Sequence, residues 1–225
     1  LTFHLCQFAH STQYGSVLSS VHVLSSWTVR CTRPRQRRSC RMKIGYIDGP
    51  RLRRALIAGC QWAQQQREEL NRINVFPVPD GDTGTNLYLT VQAIADHLEQ
   101  STERSVGGVA HEAAQAAVLG ARGNCGMMLS HFLLGFARSL EGQRRINASN
   151  FGGALEAGVQ HLSEALEEPV EGTILTVMRD TARAVSGAEI EDIAPLAEHM
   201  LDRAHDSLER TPELLPVLSA AGVVD

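Results

Sequence analysis

The chain has a single lysine, Lys43, among its 225 residues. That scarcity removes two large classes of phosphate-handling enzyme. A P-loop protein needs the lysine of G-x-x-x-x-G-K-[ST], and a protein kinase needs a strand lysine beneath a Gly-rich loop. Neither pattern occurs, and Lys43 lies outside any Gly-rich stretch. Aromatic residues are also few, at 5%, in an otherwise ordinary globular composition of 43% hydrophobic and 20% charged residues. No run of about 18 apolar residues exists, so no transmembrane helix is expected. The five cysteines, Cys6, Cys31, Cys40, Cys60 and Cys125, are odd in number and irregular in spacing. They suggest neither a disulfide framework nor a zinc site, and point to a reduced, cytoplasmic setting.

Acidic residues are missing from one part of the chain. Residues 1–41 hold six arginines and no Asp or Glu. Removing those six from a total of 21 basic residues leaves fifteen against 25 acids, about −10 for residues 42–225. A body that acidic is a poor partner for nucleic acid or an anionic membrane surface. The leader is rich in Ser and Arg, the composition of an organellar transit peptide. It starts with Leu, and helical order begins abruptly at Asp48, which favours upstream sequence translated ahead of a true start at Met42. Residues 1–41 are therefore set apart from a body at 42–225. At this length the body has room for one sizeable core.

Within the body the periodicity is helical. Asp48-Gly49-Pro50 is a helix start, with Asp as N-cap and Pro in the first turn. Leu52, Leu56, Gly59, Ala63, Leu70 and Ile73 follow at spacings of three, four or seven, one apolar stripe. Two prolines and two glycines interrupt the pattern over Asn74–Gly84, and a second stripe runs through Leu87, Val91, Ile94 and Leu98. Val106–Leu119 and Met127–Leu140 flank a small loop, Gly120–Gly126. Phe151, Leu155, Val159 and Leu162 mark another helix, followed by Ile174–Val185, Pro195–Arg210 and Pro212–Ala221. The total is roughly eight helices, with no sustained strand alternation in the body: an all-α bundle.

Two segments carry chemistry. In Asp80-Gly-Asp-Thr-Gly-Thr-Asn86, two carboxylates two residues apart on a Gly-rich turn can address one hard cation, and without it they would repel. The Thr and Asn residues that follow open the next helix, whose N–H groups favour an anion. A metal site running into an anion site is what a Mg–nucleotide complex requires. A plain Asp/Gly turn with Thr85 as helix cap is the competing reading. An EF-hand is excluded, because the twelfth position from Asp80 is Val91 where a bidentate Glu is needed. The second segment is Gly120-Ala-Arg-Gly-Asn-Cys-Gly126, whose three glycines permit close backbone approach to a ligand. Its successive N–H groups would form an anion nest. A tight turn between two helices is the alternative, and the pairing with the acidic loop is what raises the site reading.

Asn74-Val-Phe-Pro-Val-Pro-Asp-Gly-Asp-Thr-Gly-Thr-Asn86, Gly120–Gly126 and Pro169-Val-Glu-Gly-Thr-Ile-Leu-Thr176 together resemble three signatures of the DhaL-domain family. The resemblance spans about Met42 to Asp225. It is strongest to the ATP-binding domain of the bacterial fatty acid kinases and weaker to the dihydroxyacetone (glycerone) kinases. It implies a barrel of eight antiparallel helices with ATP or ADP and two Mg²⁺ ions at one end. By motif position Asp80 and Asp82 are implied metal ligands. A third aspartate of the dihydroxyacetone kinases falls on Val75 here, so Asn74 or water would supply the third ligand. Thr83, Gly84 and Asn86 match phosphate-contacting positions, Asn124, Cys125 and Gly126 match a turn that usually carries Ser instead of Cys, and Gly172 and Thr173 match a third nucleotide-facing turn.

Ala221-Gly-Val-Val-Asp225 resembles the start of a closing segment that continues into Ser/Ala-Gly-Gly, which puts Asp225 among the nucleotide-binding residues. Since the kinases of this branch carry further domains beyond it, the expectation is a domain truncated at its C-terminal end. The implied reaction is phosphorylation of a fatty acid carboxylate presented by a separate fatty-acid-binding protein of the DegV type, with no side chain serving as general base. A dihydroxyacetone kinase subunit and a nucleotide-binding fragment without turnover are the rivals. The oligomeric state, a homodimer included, stays open.

Overall fold

The computed structural model describes residues 43–225; the expectations for the 1–41 leader fall outside the described residues. The body is all-α. The predicted start at Asp48 is realised: its carboxylate accepts the Arg51 N–H at 3.0 Å and opens α1 (Gly49–Gln65). The first apolar stripe is not one helix, however. The chain turns at Gln66, and a second helix, α2 (Arg67–Ile73), follows. Three long helices come next, α3 (Thr83–Gln100), α4 (Val106–Gly120) and α5 (Gly123–Ser139). After them run α6 (Ala148–Ala165), α7 (Ile174–Ser186) and α8 (Ile193–Glu209).

The last expected helix is split. Pro216 lacks the N–H that would continue α9 (Thr211–Leu214), and a new short helix, α10 (Pro216–Ala221), starts there. A small strand pair was also not expected. β1 (Ile47–Asp48) and β2 (Arg145–Ile146) pair antiparallel, two residues each, too short for alternation to register in a sequence.

α4 is the spine. Eight of its residues, among them Val106, Val109, Ala113, Ala114 and Ala117, are buried. A helix apolar on nearly every face belongs inside a bundle, and α1, α3 and α5 pack around it. Its small alanines let those neighbours approach closely. The stripe residues Val91, Ile94 and Leu98 of α3 bury against it in one continuous core with Leu133, Phe136 and Leu140. A second cluster joins α5, α6 and α7 through Phe132, Val159, Leu162, Leu175 and Ala182.

The up-and-down course sorts the helix starts to two ends. Gly49 donates to the Arg104 carbonyl, Val106 to Arg144, and Ile193 to Ile44, which gathers the starts of α1, α4, α6 and α8 at the β1–β2 end. Each of these four has a local side-chain cap: Asp48, Ser105, Asn147 and Asp192. The starts of α3, α5 and α7 lie at the opposite end, and none of them is capped by its own N-cap side chain. Unpaired amides at a helix start need a partner from elsewhere in the chain or from a ligand.

Candidate functional site

The acidic loop is held against α2. Asp80 is exposed, and its Oδ1 accepts from the Asn74 side-chain amide at 2.8 Å and from the Asp82 N–H at 3.4 Å. Gly81, at φ +69°, makes the turn between the two aspartates. Asp82 is the N-cap of α3 by position, yet its exposed carboxylate caps no N–H of that helix. Gly84 is buried, and a side chain there would run into the Arg67 carbonyl oxygen and sit 2.9 Å from both Asn71 Oδ1 and Leu70 Cβ. Close packing on α2 is thus a sufficient reason for glycine at this position. Asn71 grips the next residue twice, accepting the Thr85 N–H and donating to Thr85 Oγ1, each at 3.0 Å.

The second motif touches the first. Gly123, at φ +59°, starts α5, so Asn124, Cys125 and Gly126 form the first turn of a helix and not the loop expected over 120–126. The N–H groups expected to form an anion nest are here those of a helix start. Thr90, fully buried on α3, accepts the Arg122 N–H at 3.1 Å and donates to the Asn86 carbonyl at 2.9 Å. A side chain on Gly126 would meet Thr90 Oγ1 at 2.5 Å, and one on Gly123 would meet the Asn86 amide at 2.6 Å. The half-buried Cys125 thiol donates to the Thr83 carbonyl at 3.5 Å. Burial pushes that thiol up in pKa, against two backbone N–H groups that lower it, and the negative charge of Asp82 adds slightly to the rise.

The third turn is built separately. Gly172, at φ +79°, is buried, and a side chain on it would meet the Leu214 and Leu215 Cβ atoms at 2.9 and 2.8 Å. Its N–H donates to Thr176 Oγ1 at 2.9 Å, and that hydroxyl donates to Glu171 at 2.7 Å. Arg179 grips Glu171 with both terminal nitrogens, and chiefly this bond brings the Glu171 carboxyl down to about 2. Thr173 is buried and donates to the Val170 carbonyl at 2.8 Å. Burial raises the pKa of the Asp225 carboxyl, against the nearby Ile174 N–H at the start of α7, which lowers it, while the Asp225 N–H donates to buried Thr211 Oγ1 at 3.1 Å.

Asp80, Asp82, Asn74, Thr83, Gly84, Asn86, Asn124, Cys125 and Gly126 therefore fall in one contiguous patch, and Gly172, Thr173 and Asp225 in a second. The two lie at the same end of the bundle, since Met128 near the start of α5 packs on the cluster holding Leu175 of α7. A cleft of about 540 Å³ also faces α2 across the closing segment, lined by Glu69, Arg72 and Ile73 on one side and by Pro212, Ser219 and Gly222 on the other.

The model of the DAK2 domain matches residues 77–225, about two thirds of the chain. The chain belongs to the DAK2 domain family. Over 186 residues it is 44% identical to Protein YloV of Bacillus subtilis, an alignment that takes in 82% of this chain and 34% of that protein. An uncharacterized protein of Staphylococcus saprophyticus is 41% identical over 184 residues, 81% of this chain and 33% of its own length. One from Staphylococcus epidermidis is 38% identical over the same number of residues, again with 33% of its length covered. The chain thus spans about a third of the length of the curated relatives it matches.

The DAK2 domain is a DhaL-like, nucleotide-binding type of domain related to kinases. Among the described residues, no group of three or more His, Cys, Asp or Glu side chains is placed to hold a metal ion. Two exposed carboxylates with a neighbouring amide make a partial set of hard oxygen donors. That set suits Mg²⁺, which keeps several waters and shares one or two carboxylates with substrate phosphates. None of the described helices is long and apolar enough to cross a membrane. Four residues that shape the candidate site escaped sequence reading: Asn71, Thr90 and the paired Glu171 and Arg179. Asn71 stood in plain view beside the stripe residue Leu70, but its partner Thr85 is 14 positions away. No periodicity encodes such a contact.

Proposed function

We propose that residues 42–225 form a DhaL-type kinase domain of the fatty acid kinase kind. It binds Mg-ATP and transfers the γ-phosphoryl group to an acyl carboxylate presented by a separate fatty-acid-binding protein of the DegV type, in the cytoplasm. One observation carries the reading: the three long helices that lack a local cap start at the same end, and the Asp80–Asp82 loop opens one of them. Helix starts favour phosphate, and adjacent carboxylates favour the cation that accompanies it.

In this reading Asp80 and Asp82, with Asn74 in support, hold Mg²⁺, which supplies neutralisation of phosphate charge. The free first-turn amides of α3 (Thr83, Gly84) and α5 (Asn124, Cys125) receive phosphate oxygens; Asn86 offers its side chain and Gly126 leaves room for close approach, because their own N–H groups already bond the Asp82 and Arg122 carbonyls. Gly172 and Thr173 line the third side, with Asp225 beside the start of α7. The bond between the γ-phosphorus and its bridging oxygen breaks, a carboxylate oxygen of the acceptor takes the phosphoryl group, and ADP leaves. A carboxylate is already ionised at neutral pH, so no side chain has to remove a proton. Rate then comes from alignment and electrostatics. The lack of a P-loop lysine agrees with charge stabilisation resting on metal and helix amides.

Asp82→Ala tests the binding half. Calorimetry should show Mg-ATP binding abolished while the far-ultraviolet circular dichroism is unchanged; wild-type affinity in that variant refutes the assignment. ADP release tests the other half. Turnover that needs a lipid-loaded partner supports the proposal, turnover with a partner carrying dihydroxyacetone instead supports the glycerone kinase rival, and binding without turnover under either condition leaves a nucleotide-binding module.

A further inference from the structure

An Asp at the first cap position of a helix ordinarily folds its carboxylate back onto the N–H two or three residues ahead. For α3 those are the amides of Gly84 and Thr85, and Asp82 takes neither. The Thr85 N–H is already occupied, because Asn71 Oδ1 accepts it at 3.0 Å from the neighbouring helix α2. The same side chain donates its Nδ2 to Thr85 Oγ1, which also receives Arg67 Nε at 3.3 Å. Gly84 leaves the space through which α2 comes this close.

We propose that Asn71 is the positioning residue of the acidic loop: it caps α3 in place of Asp82 and so leaves the Asp82 carboxylate free to face the cation. The proposal rests on the Mg-ATP reading for its consequence, but the cap exchange itself is independent of it. Without Asn71, the Asp82 backbone can turn from φ −113°, ψ −6° to the extended conformation of a capping residue, and its carboxylate then takes the vacant Thr85 N–H. The helix keeps a cap and the metal loses a ligand. Asn71 thus acts through Asp82 and not by contact with the nucleotide.

The 225-residue chain is tested as wild type, Asn71→Ala, Asp82→Ala and the double variant. Without ligand, hydrogen exchange at the Thr85 amide should stay slow in each single variant and become fast only in the double variant. With Mg-ATP, calorimetry should show Asn71→Ala weaker by about tenfold or more, near 1.4 kcal/mol. Thr85→Val keeps the N–H while removing the hydroxyl, so it should bind Mg-ATP within about twofold of wild type and keep its slow amide. Fast Thr85 exchange in Asn71→Ala alone overturns the cap exchange. So does a loss in Thr85→Val as large as in Asn71→Ala. A wild-type chain that binds no Mg-ATP refutes the function reading alone, and the exchange data still decide the cap.

Discussion

Replacing Gly84 with alanine puts a number on how tightly the acidic loop is packed. The new Cβ would overlap the Arg67 carbonyl oxygen and lie 2.9 Å from Asn71 Oδ1 and from Leu70 Cβ. A main-chain carbonyl cannot rotate away, so α2 itself must shift. Overpacking of this kind costs about 1–3 kcal/mol, and a backbone collision belongs at the upper end. Alanine returns at most the roughly 1 kcal/mol by which glycine is worse inside a helix, since Gly84 is only the second residue of α3. The net loss is about 2 kcal/mol. For a domain of this size each kcal/mol moves the melting temperature by roughly 2–4 °C, so Gly84→Ala should melt about 4–8 °C lower. The control is Gly153→Ala, an exposed position inside α6 where a Cβ meets nothing within 4 Å. There only the propensity gain remains, and melting should rise by about 2–4 °C. Thermal unfolding followed at 222 nm, without ligand, reads both. A Gly84→Ala chain as stable as wild type would show that α2 does not pack on the loop as described. A fall in Gly153→Ala would undermine the propensity correction.

Three further outcomes follow from the site. Thr90→Val leaves the Arg122 N–H without its acceptor and should cost about 1–3 kcal/mol of stability, read by urea unfolding; a loss under about 0.3 kcal/mol would mean that the α3–α5 junction does not depend on this hydroxyl. Cys125→Ser replaces a weak thiol donor with a stronger hydroxyl, so Mg-ATP affinity should hold or tighten, and a tenfold weakening by calorimetry would refute the placement of this turn. Glu171 has its carboxyl lowered from 4.5 to about 2 by Arg179, so its contribution is present above pH 4.5 and lost as pH falls toward 2. The side chain is half exposed, at 53%, so solvent screening limits that contribution to about 1 kcal/mol or less. Glu171→Gln should therefore be slightly less stable at neutral pH and show a flatter acid limb in a pH series of melting curves; an unchanged acid limb would dismiss the pairing.

The sequence by itself determined the fold class, because helical periodicity is local: Leu87, Val91, Ile94 and Leu98 lie on one face of any helix that contains them, and Val91, Ile94 and Leu98 are buried. It also singled out the segments proposed to carry chemistry, since paired aspartates repel and clustered glycines weaken a helix. Caps set by neighbours in the chain, such as Asp48, were legible for the same reason. Tertiary structure alone decided the rest. Whether the stripe through Leu70 and Ile73 continued α1 or turned at Gln66 depended on how α2 packs against the start of α3. The second glycine motif became a helix start because Thr90, 32 residues earlier, holds the Arg122 amide. Asn71 and Thr85 meet only once two helices are side by side, and the Asp225 carboxyl comes near the Ile174 N–H across some fifty residues of chain. A hydrogen bond between residues far apart leaves no period in the sequence, so the partners of the site could be read only from the folded chain.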